Sequence, residues 1–338
     1  MKRAILTRLK EGCTVSGEVL AAELGVSRTS IWKYVKKLRL EGYRISSSPR
    51  RGYALTGVPD RLLADEIASG LETRTVGRNI VLFEMLSSTQ NHAKKLAYQG
   101  SADGTLVVAE RQTDGRGRLG RSWASPPGGL YFSLILRPPV DIVDACRIPL
   151  VAGVALLRAI GRHTTLRPRL KWPNDVLVND RKTAGILAEM SAEVDRLDWI
   201  VLGVGINVNT PPSEFPEDIR EKAGSLAGNN GAAVSGVKLL QDSLRELEQA
   251  LDTFGSDGFE PFRRQWKDQN CTMEQRVTVT GGREAIEGRA VDIDSDGALV
   301  LECDDGIRRR IFTGDVSFAE ATEGAFPKNR RPDRPARA

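Results

Sequence analysis

The chain has 338 residues, 40% of them hydrophobic and 28% charged, the balance of a globular protein long enough for two or three domains. Its longest uncharged apolar stretch, residues 149–157, is far short of the ~20 residues of a membrane-spanning helix, and MKRAILTRLK puts charge where a signal peptide needs an apolar run, so a cytoplasmic protein with no membrane partner is expected. Cys13, Cys146, Cys271 and Cys303 form no CxxC pair and His92 and His163 are the only histidines, which argues against a disulfide scaffold and against a transition-metal site.

Charge is unevenly placed. Residues 1–55 carry 12 Lys/Arg against 4 Asp/Glu, and residues 321–338 carry 5 against 2. With +5 overall, the middle of the chain is net acidic. A basic front on an acidic body suggests a polyanion-binding module fused to something else.

In the front, Leu6 and Leu9 give a short first helix its apolar side. Ser16 caps a second helix over Glu18–Leu24, with Val19, Leu20 and Leu24 as its apolar face. Gly25 supplies a tight turn, and Ser27 caps a third helix, Arg28–Leu40, with a buried stripe of Ile31, Val35 and Leu38. The spacing of Ala21, Gly25 and Ile31 resembles a helix-turn-helix signature. The other face of the third helix carries Arg28, Thr29, Ser30, Lys33, Lys36 and Lys37, hydroxyls and cations suited to base edges and phosphates. Tyr43–Ile45 and Gly52–Leu55 read as strands joined by SSSPRR, with Arg50 and Arg51 at the tip. Residues 1–57 thus read as a winged helix-turn-helix that binds DNA, against the plainer reading of a solvated helical hairpin.

Residues 60–268 mix strands with helices. Strands are predicted at Ile80–Met85, Thr105–Glu110, Leu130–Leu136, Val176–Val178, Gly185–Met190 and Trp199–Val208. Helices are predicted at Ala145–Ile160, at Val237–Phe254 and after a Ser88 cap. Strands outnumber helices without strict alternation, so an α+β domain with a mixed sheet is expected.

Gly115–Arg121 (GRGRLGR) matches GxGxxG in form, but the SWASPPGG after it cannot be the helix that a dinucleotide site needs. Glycines interleaved with arginines suit a loop that closes over an anion through backbone N–H groups and forked guanidinium donors. Taken alone, a disordered basic loop fits as well. KWPND at 171–175, DRKTAG at 180–185 and GVGINVN at 203–209 follow; alternate glycines in a strand let a ligand approach the backbone.

In this order, Ser88-Thr89-Gln90, GRGRLGR, KWPND, the Lys182/Gly185 strand and GVGINVN resemble the catalytic domain of biotin protein ligases. With the winged helix, residues 3–318 are similar to the bifunctional biotin ligases that also repress biotin-synthesis genes. The resemblance implies a central domain of the biotin/lipoate-ligase type that makes biotinyl-5′-adenylate from biotin and ATP with Mg²⁺. Biotin then passes to a lysine of a biotin carboxyl carrier protein. A homodimer that binds operator DNA is implied as well. Biotin contacts are implied for Ser88, Thr89, Gln90, Gln112, Gly115, Arg116, Gly117, Arg118, Lys182, Gly185 and Gly205. Adenylate contacts are implied for Arg118, Arg121, Trp123, Lys171, Asn174 and Asn207, and a Mg²⁺-side carboxylate for Asp175. Lys182 and Arg118 are the implied catalytic cations. DNA contacts fall to Arg28, Thr29, Ser30, Lys33, Lys36, Arg50 and Arg51.

The substrate carboxylate is the nucleophile in such a reaction, so a chain poor in His and Cys is no obstacle. Two positions depart from the family. Leu119 stands where a second arginine is common, and Gln90, with Asn91 one place later, stands where Ser-Thr-Asn is frequent. A biotin-sensing regulator without turnover, and a ligase without operator control, remain alternatives.

From Cys271 the chain reads as short strands with tight turns, a small β-barrel over 271–320 of Src-homology-like type. A role near the active site and a purely stabilising role are equally open. Residues 321–338 hold three prolines and few apolar groups and read as a disordered basic tail.

Overall fold

The structure, a computed structural model, describes residues 1–48, 51–59, 61–193, 196–281 and 284–318. Arg50 at the wing tip and the 321–338 tail lie outside the described residues.

Helices α1 (Lys2–Lys10), α2 (Gly17–Leu24) and α3 (Arg28–Leu40) precede an antiparallel hairpin of β1 (Arg44–Ser48) and β2 (Gly52–Gly57). The Ser16 and Ser27 hydroxyls accept hydrogen bonds from Val19 N and Ser30 N, each 3.1 Å, so both expected caps form. Gly25 takes a left-handed φ of 65° at the turn between the two helices. Ile31, Val35 and Leu38 bury completely in one cluster with Leu6, Leu9 and Leu20. Val19 does not join them: it is 44% exposed, and Ala21 is buried beside Leu20 in its place. A helix that begins at Gly17 turns Leu20, Ala21 and Leu24 inward and leaves Val19 on the flank.

A short helix, α4 (Ala64–Ser69), links this unit to the body. Six residues are too few to show a period, so no helix is legible there from the sequence. The central sheet has seven strands: β3 (Ile80–Leu86), β4 (Leu106–Gln112), β5 (Gly129–Leu136), β6 (Arg169–Lys171), β7 (Asp175–Val178), β8 (Arg181–Glu193) and β9 (Arg196–Asn207). Their order is β3-β4-β5-β9-β8-β7-β6, with β3 and β4 parallel and the other pairs antiparallel, the mixed sheet expected.

Helix α5 (Thr89–Tyr98) covers one face through Ala93 and Ala97 against Val107, Ile135 and Val201. The expected single helix at 145–160 is split into α6 (Ile142–Ala145) and α7 (Ile148–Gly161), with Pro149 in the first turn of α7. Proline fits the first turn but would break the ladder of a continuous helix. The other sheet face is covered by α7 and by α9 (Gly236–Asp257), which follows the short α8 (Leu226–Asn230). Helix α10 (Glu260–Asp268) closes the body and buries Phe262 and Trp266.

The C-terminal module is an antiparallel sheet of β10 (Arg276–Thr280), β11 (Ile286–Ile293), β12 (Leu299–Glu302), β13 (Arg308–Ile311) and β14 (Asp315–Phe318), in the order β13-β12-β11-β10-β14. Its Val277, Val279, Leu299 and Leu301 belong to the same buried cluster as the central core. Trp172 Nε1 donates to Gly297 O at 3.1 Å, and Arg147 pairs with Asp296 at 2.8 Å. These contacts hold the module against the KWPND corner. Among the described residues no helix is long and apolar enough to cross a membrane.

Candidate active site and DNA-contact face

A cavity of about 260 Å³ opens where β4, β5, β8 and β9 of the central sheet meet the C-terminal module. One end is lined with neutral polar groups. The Ser88 cap starts α5 at Thr89, and this places Thr89 and Gln90 in the first helical turn, facing the sheet. Gln112 Oε1 accepts from Thr89 N (2.8 Å) and Thr89 Oγ1 (3.1 Å), while Gln112 Nε2 donates to Ser125 Oγ (2.8 Å). Gln90 Nε2 donates to Val201 O at 3.0 Å, and Ser133 Oγ lies 3.1 Å from Gln90 Oε1 and 3.0 Å from Thr89 Oγ1. Of the two neighbouring amides, Gln90 lines the cavity; Asn91 donates its backbone N–H to the Ser88 cap.

The opposite end is cationic. Arg116, Arg118 and Arg121 of the glycine–arginine loop line it with Lys171 and Lys182. The loop is ordered by its own contacts: Gly117 N donates to Arg121 O (2.8 Å), and Trp123 N to Gly115 O (2.9 Å). Arg118 donates to Asn174 Oδ1 (3.3 Å), Gly314 O (3.3 Å) and Thr313 Oγ1 (2.9 Å), and Arg121 pairs with Asp315 at 2.5 Å. The C-terminal module therefore grips the loop directly. Thr280, Asp315, Val316 and Ser317 of that module line the cavity, which makes it part of the site. Leu119 adopts φ 54° and, though more than half exposed, brings its side-chain tip close to Gly281 of the same module.

Burial pushes both the Lys171 ammonium and the Arg118 guanidinium below their ordinary pKa, with Asp175 and Asp315 acting in the other direction. Lys182 Nζ lies 2.7 Å from Asp175 Oδ1 and 5.3 Å from the centre of the Trp123 ring. The Trp123 indole rests on the glycines of β8 and β9: a Cβ on Gly185 would come within 2.6 Å of the ring, and one on Gly205 would overlap it. Glycine at these places is required by the close approach of the indole, not by turn geometry.

Asp175 Oδ1 is buried and, despite its approach to Lys182, accepts no well-aligned hydrogen bond; Asp315 Oδ2 stands in the same relation to Arg121. No group of three metal-ligating side chains occurs among the described residues.

Three expected residues do not line the cavity. Ser88 is wholly buried as the α5 cap, and Gly115 is packed beneath Trp123 O and Ser125 Oγ. Asn207 is 3% exposed, and its Nδ2 donates to Lys182 O at 3.3 Å, so it holds the backbone of the lysine instead of facing the cavity. Ser133, Gly203 and the four C-terminal residues line it without having been expected. Alternate glycines did mark Gly203, but nothing local to Asp315 marks it. Neither histidine lines the cavity: His92 packs on Phe83, and His163 pairs with Asp242. The site therefore offers polar recognition at one end, a glycine-floored sheet between, and a group of cations able to bring two anions together at the other.

On the first unit, Arg28, Thr29, Lys33 and Lys36 are exposed along α3, as is Arg51 beyond β1. Ser30 is half-buried and within 3.0 Å of the capping Ser27 hydroxyl, and Arg28 stands 3.5 Å from Glu18.

Sequence profiles of known families match all three parts. The Biotin/lipoate A/B protein ligase family matches residues 82–207, an HTH domain 2–54, and the Biotin protein ligase C terminal domain 272–319. The Bifunctional ligase/repressor BirA of Bacillus subtilis is 37% identical over 305 residues, 90% of this chain and 94% of that one. Its Escherichia coli namesake is 31% identical over 319 residues, 94% of this chain and 97% of that one. The solved structure of the biotin protein ligase from Aquifex aeolicus in complex with biotin and ATP matches 72% of this chain and 100% of its own, with a TM-score of 0.63 and 31% identity. Likeness across all three parts, and over nearly the full length of both BirA chains, places this chain in the family of bifunctional biotin ligase/repressors.

Proposed function

We propose that the chain joins biotin to a lysine of a biotin carboxyl carrier protein through a biotinyl-5′-adenylate, and that its winged helix represses biotin-synthesis genes by binding operator DNA. One observation carries the reading: Arg118, Arg121, Lys171 and Lys182 converge at one end of a cavity whose other end is lined by Thr89, Gln90 and Gln112. Biotin has a matching asymmetry, a neutral ureido ring and an anionic carboxylate.

In the first step a biotin carboxylate oxygen bonds to the α-phosphorus of ATP as the bond from that phosphorus to the bridging oxygen breaks, and pyrophosphate leaves. Two anions meet, and negative charge grows on the equatorial oxygens. Fixed cations aimed at that charge lower the barrier, each donor contributing about 3–4 kcal/mol. We assign this role to Lys182 and Arg118, with Arg121, Lys171, Asn174 and the Trp123 ring on the nucleotide. In the second step the acceptor lysine amine attacks the acyl carbon, AMP leaves, and the amine sheds a proton.

Mg²⁺ takes one or two carboxylates together with substrate phosphates, and the buried Asp175 Oδ1, without an aligned hydrogen bond, fits such a place. When bound there the ion neutralises phosphate charge. Homodimerisation through the central sheet and a cytosolic location complete the reading; the four cysteines, all free thiols, agree with a reducing compartment.

The test is transfer. Incubation with biotin, MgATP and a biotin carboxyl carrier domain, followed by intact mass, is expected to add one biotinyl group to the acceptor, and Lys182→Ala is expected to abolish adenylate formation in a folded protein. Wild-type adenylation by that variant would refute the assignment of Lys182. Tight biotin binding that alters DNA affinity without transfer would instead leave a sensor.

A further inference from the structure

Helix α3 carries two large apolar side chains that its core does not use, Leu40 at its C-terminal end and Trp32 near its start. Ile31, Val35 and Leu38 fill the inner stripe, and Tyr34 packs at its margin. Trp32 belongs to no buried cluster and is 50% exposed. It lies one turn after Arg28 and one turn before Lys36, whose ammonium stands 5.4 Å from the centre of its ring. Thr29 and Lys33 flank it, both exposed.

A single half-exposed indole needs no partner for the fold to be stable, but a tryptophan that becomes buried at an interface dominates its energetics. The surroundings of Trp32 fix the chemistry of the partner. Arg28, Lys33 and Lys36 form a cationic border on the same side of the helix, and Arg51 stands exposed beyond β1. An aromatic plate edged by cations fits a polyanion with an apolar feature set between its charges. Duplex DNA offers that arrangement in its major groove, where the thymine C5-methyl group projects between two rows of phosphates. The position also agrees, since recognition helices reach base edges with their N-terminal turns.

We propose that Trp32 is a base-reading residue, packing its indole on a thymine methyl in the major groove while Lys36 swings from the ring to a neighbouring phosphate. The inference rests on the DNA-binding reading above and assigns sequence preference to a residue of a different kind from the cations and hydroxyls of α3.

The experiment starts with sites selected from a random duplex pool by the wild-type protein with biotin and MgATP. Affinity is then measured for wild-type, Trp32→Ala and Trp32→Phe on the selected site, on a scrambled duplex of equal length, and on copies of the site in which each thymine is replaced in turn by deoxyuracil. Trp32→Ala is expected to lose at least tenfold on the selected site, with little change on the scrambled duplex or in its salt dependence. Trp32→Phe is expected to fall between. One deoxyuracil position should weaken wild-type and leave Trp32→Ala unaffected. Equal losses on both duplexes, or no deoxyuracil position that distinguishes the two proteins, would overturn the proposal while leaving DNA binding intact. Failure of wild-type to select any site would overturn both readings. Melting by circular dichroism shows whether the variants are folded, and Trp32→Gln, which keeps a long side chain, replaces Trp32→Ala if that protein is unstable.

Discussion

The Tyr43 hydroxyl donates a 2.7 Å hydrogen bond to Glu66 Oε1, and both residues are buried. Tyr43 follows α3 in the first unit, whereas Glu66 belongs to α4, whose Ile67 lies in the central core. Lys10 holds the other Glu66 oxygen at 2.6 Å, and Lys2 pairs with Asp65 at 2.9 Å. On the far side, Gln241 of α9 donates to the carbonyls of Glu66 and Ile67. One turn of α4 thus fastens the winged helix to the body.

Tyr43→Phe removes a partner of a buried carboxylate, at an expected cost of about 1–3 kcal/mol. Glu66→Ala removes the Tyr43 and Lys10 contacts together, leaving Lys2–Asp65 as the remaining ion pair, and should leave the first unit freer to move. Limited proteolysis between residues 57 and 64 should then become faster, with biotin transfer retained. Unchanged proteolysis in Glu66→Ala would show that the chain connection and the remaining contacts set the arrangement. High pH acts in the same direction as Tyr43→Phe. Burial and Glu66 raise the Tyr43 pKa above its ordinary value, so the folded state holds that proton more tightly than the unfolded chain does. The stability it contributes is full below ~10, the ordinary phenol pKa, and declines as pH rises beyond it.

Asp315 is expected to act on ATP without touching biotin. It pairs with Arg121, while Thr313 and Gly314 hold Arg118, so Asp315→Ala frees one arginine and loosens the setting of the other. A displaced catalytic group can cost on the order of 100-fold. We expect a 10- to 100-fold fall in kcat/KM for ATP in biotin-dependent pyrophosphate exchange, with biotin binding by calorimetry unchanged. Loss of biotin affinity in the same variant would mean that the C-terminal module supports the whole cavity and not only its cationic end.

The contrast between α3 and Asp315 shows what a sequence can carry. The Ser27 cap, the Ile31/Val35/Leu38 stripe and the Gly25 turn act within one helix and its neighbour, so a local period is enough to find them. Val19 was misjudged by that same period, because the phase of an eight-residue helix depends on where it starts. The cationic end was legible as composition, through GRGRLGR, KWPND and Lys182. Its geometry was not, because Arg121 meets Asp315, and Leu119 meets Gly281, only when the C-terminal sheet docks. Asn207 shows the opposite limit. It belongs to a legible motif, yet its amide holds the Lys182 carbonyl, a role no spacing rule reveals.

Lys171 should impose an alkaline limit on nucleotide capture. Its ammonium loses its proton at lower pH than an ordinary lysine because burial disfavours the charged form. In the free enzyme the cation is therefore lost early as pH rises, and kcat/KM for ATP, which reports free-enzyme ionisations, should fall with it. Lys171→Arg should carry that limb to higher pH. An identical alkaline limb in Lys171→Arg would assign it to another group.

Gly205→Ala tests whether the indole position matters. A methyl group there overlaps Trp123, and neither Gly205 nor its neighbours on β5 and β8 can shift without breaking the sheet, so the ring must leave its seat between Lys182 and the β9 backbone. Because Trp123 is assigned to the nucleotide, ATP affinity should fall by at least tenfold. The exposed indole should shift tryptophan emission to the red, and the shift should vanish when Trp123→Phe is added. Gly185→Ala displaces the same ring from β8 and should act in the same direction. If Gly205→Ala reddens the emission but keeps wild-type ATP affinity, the ring is a filler of the floor and the nucleotide is held by the cations alone.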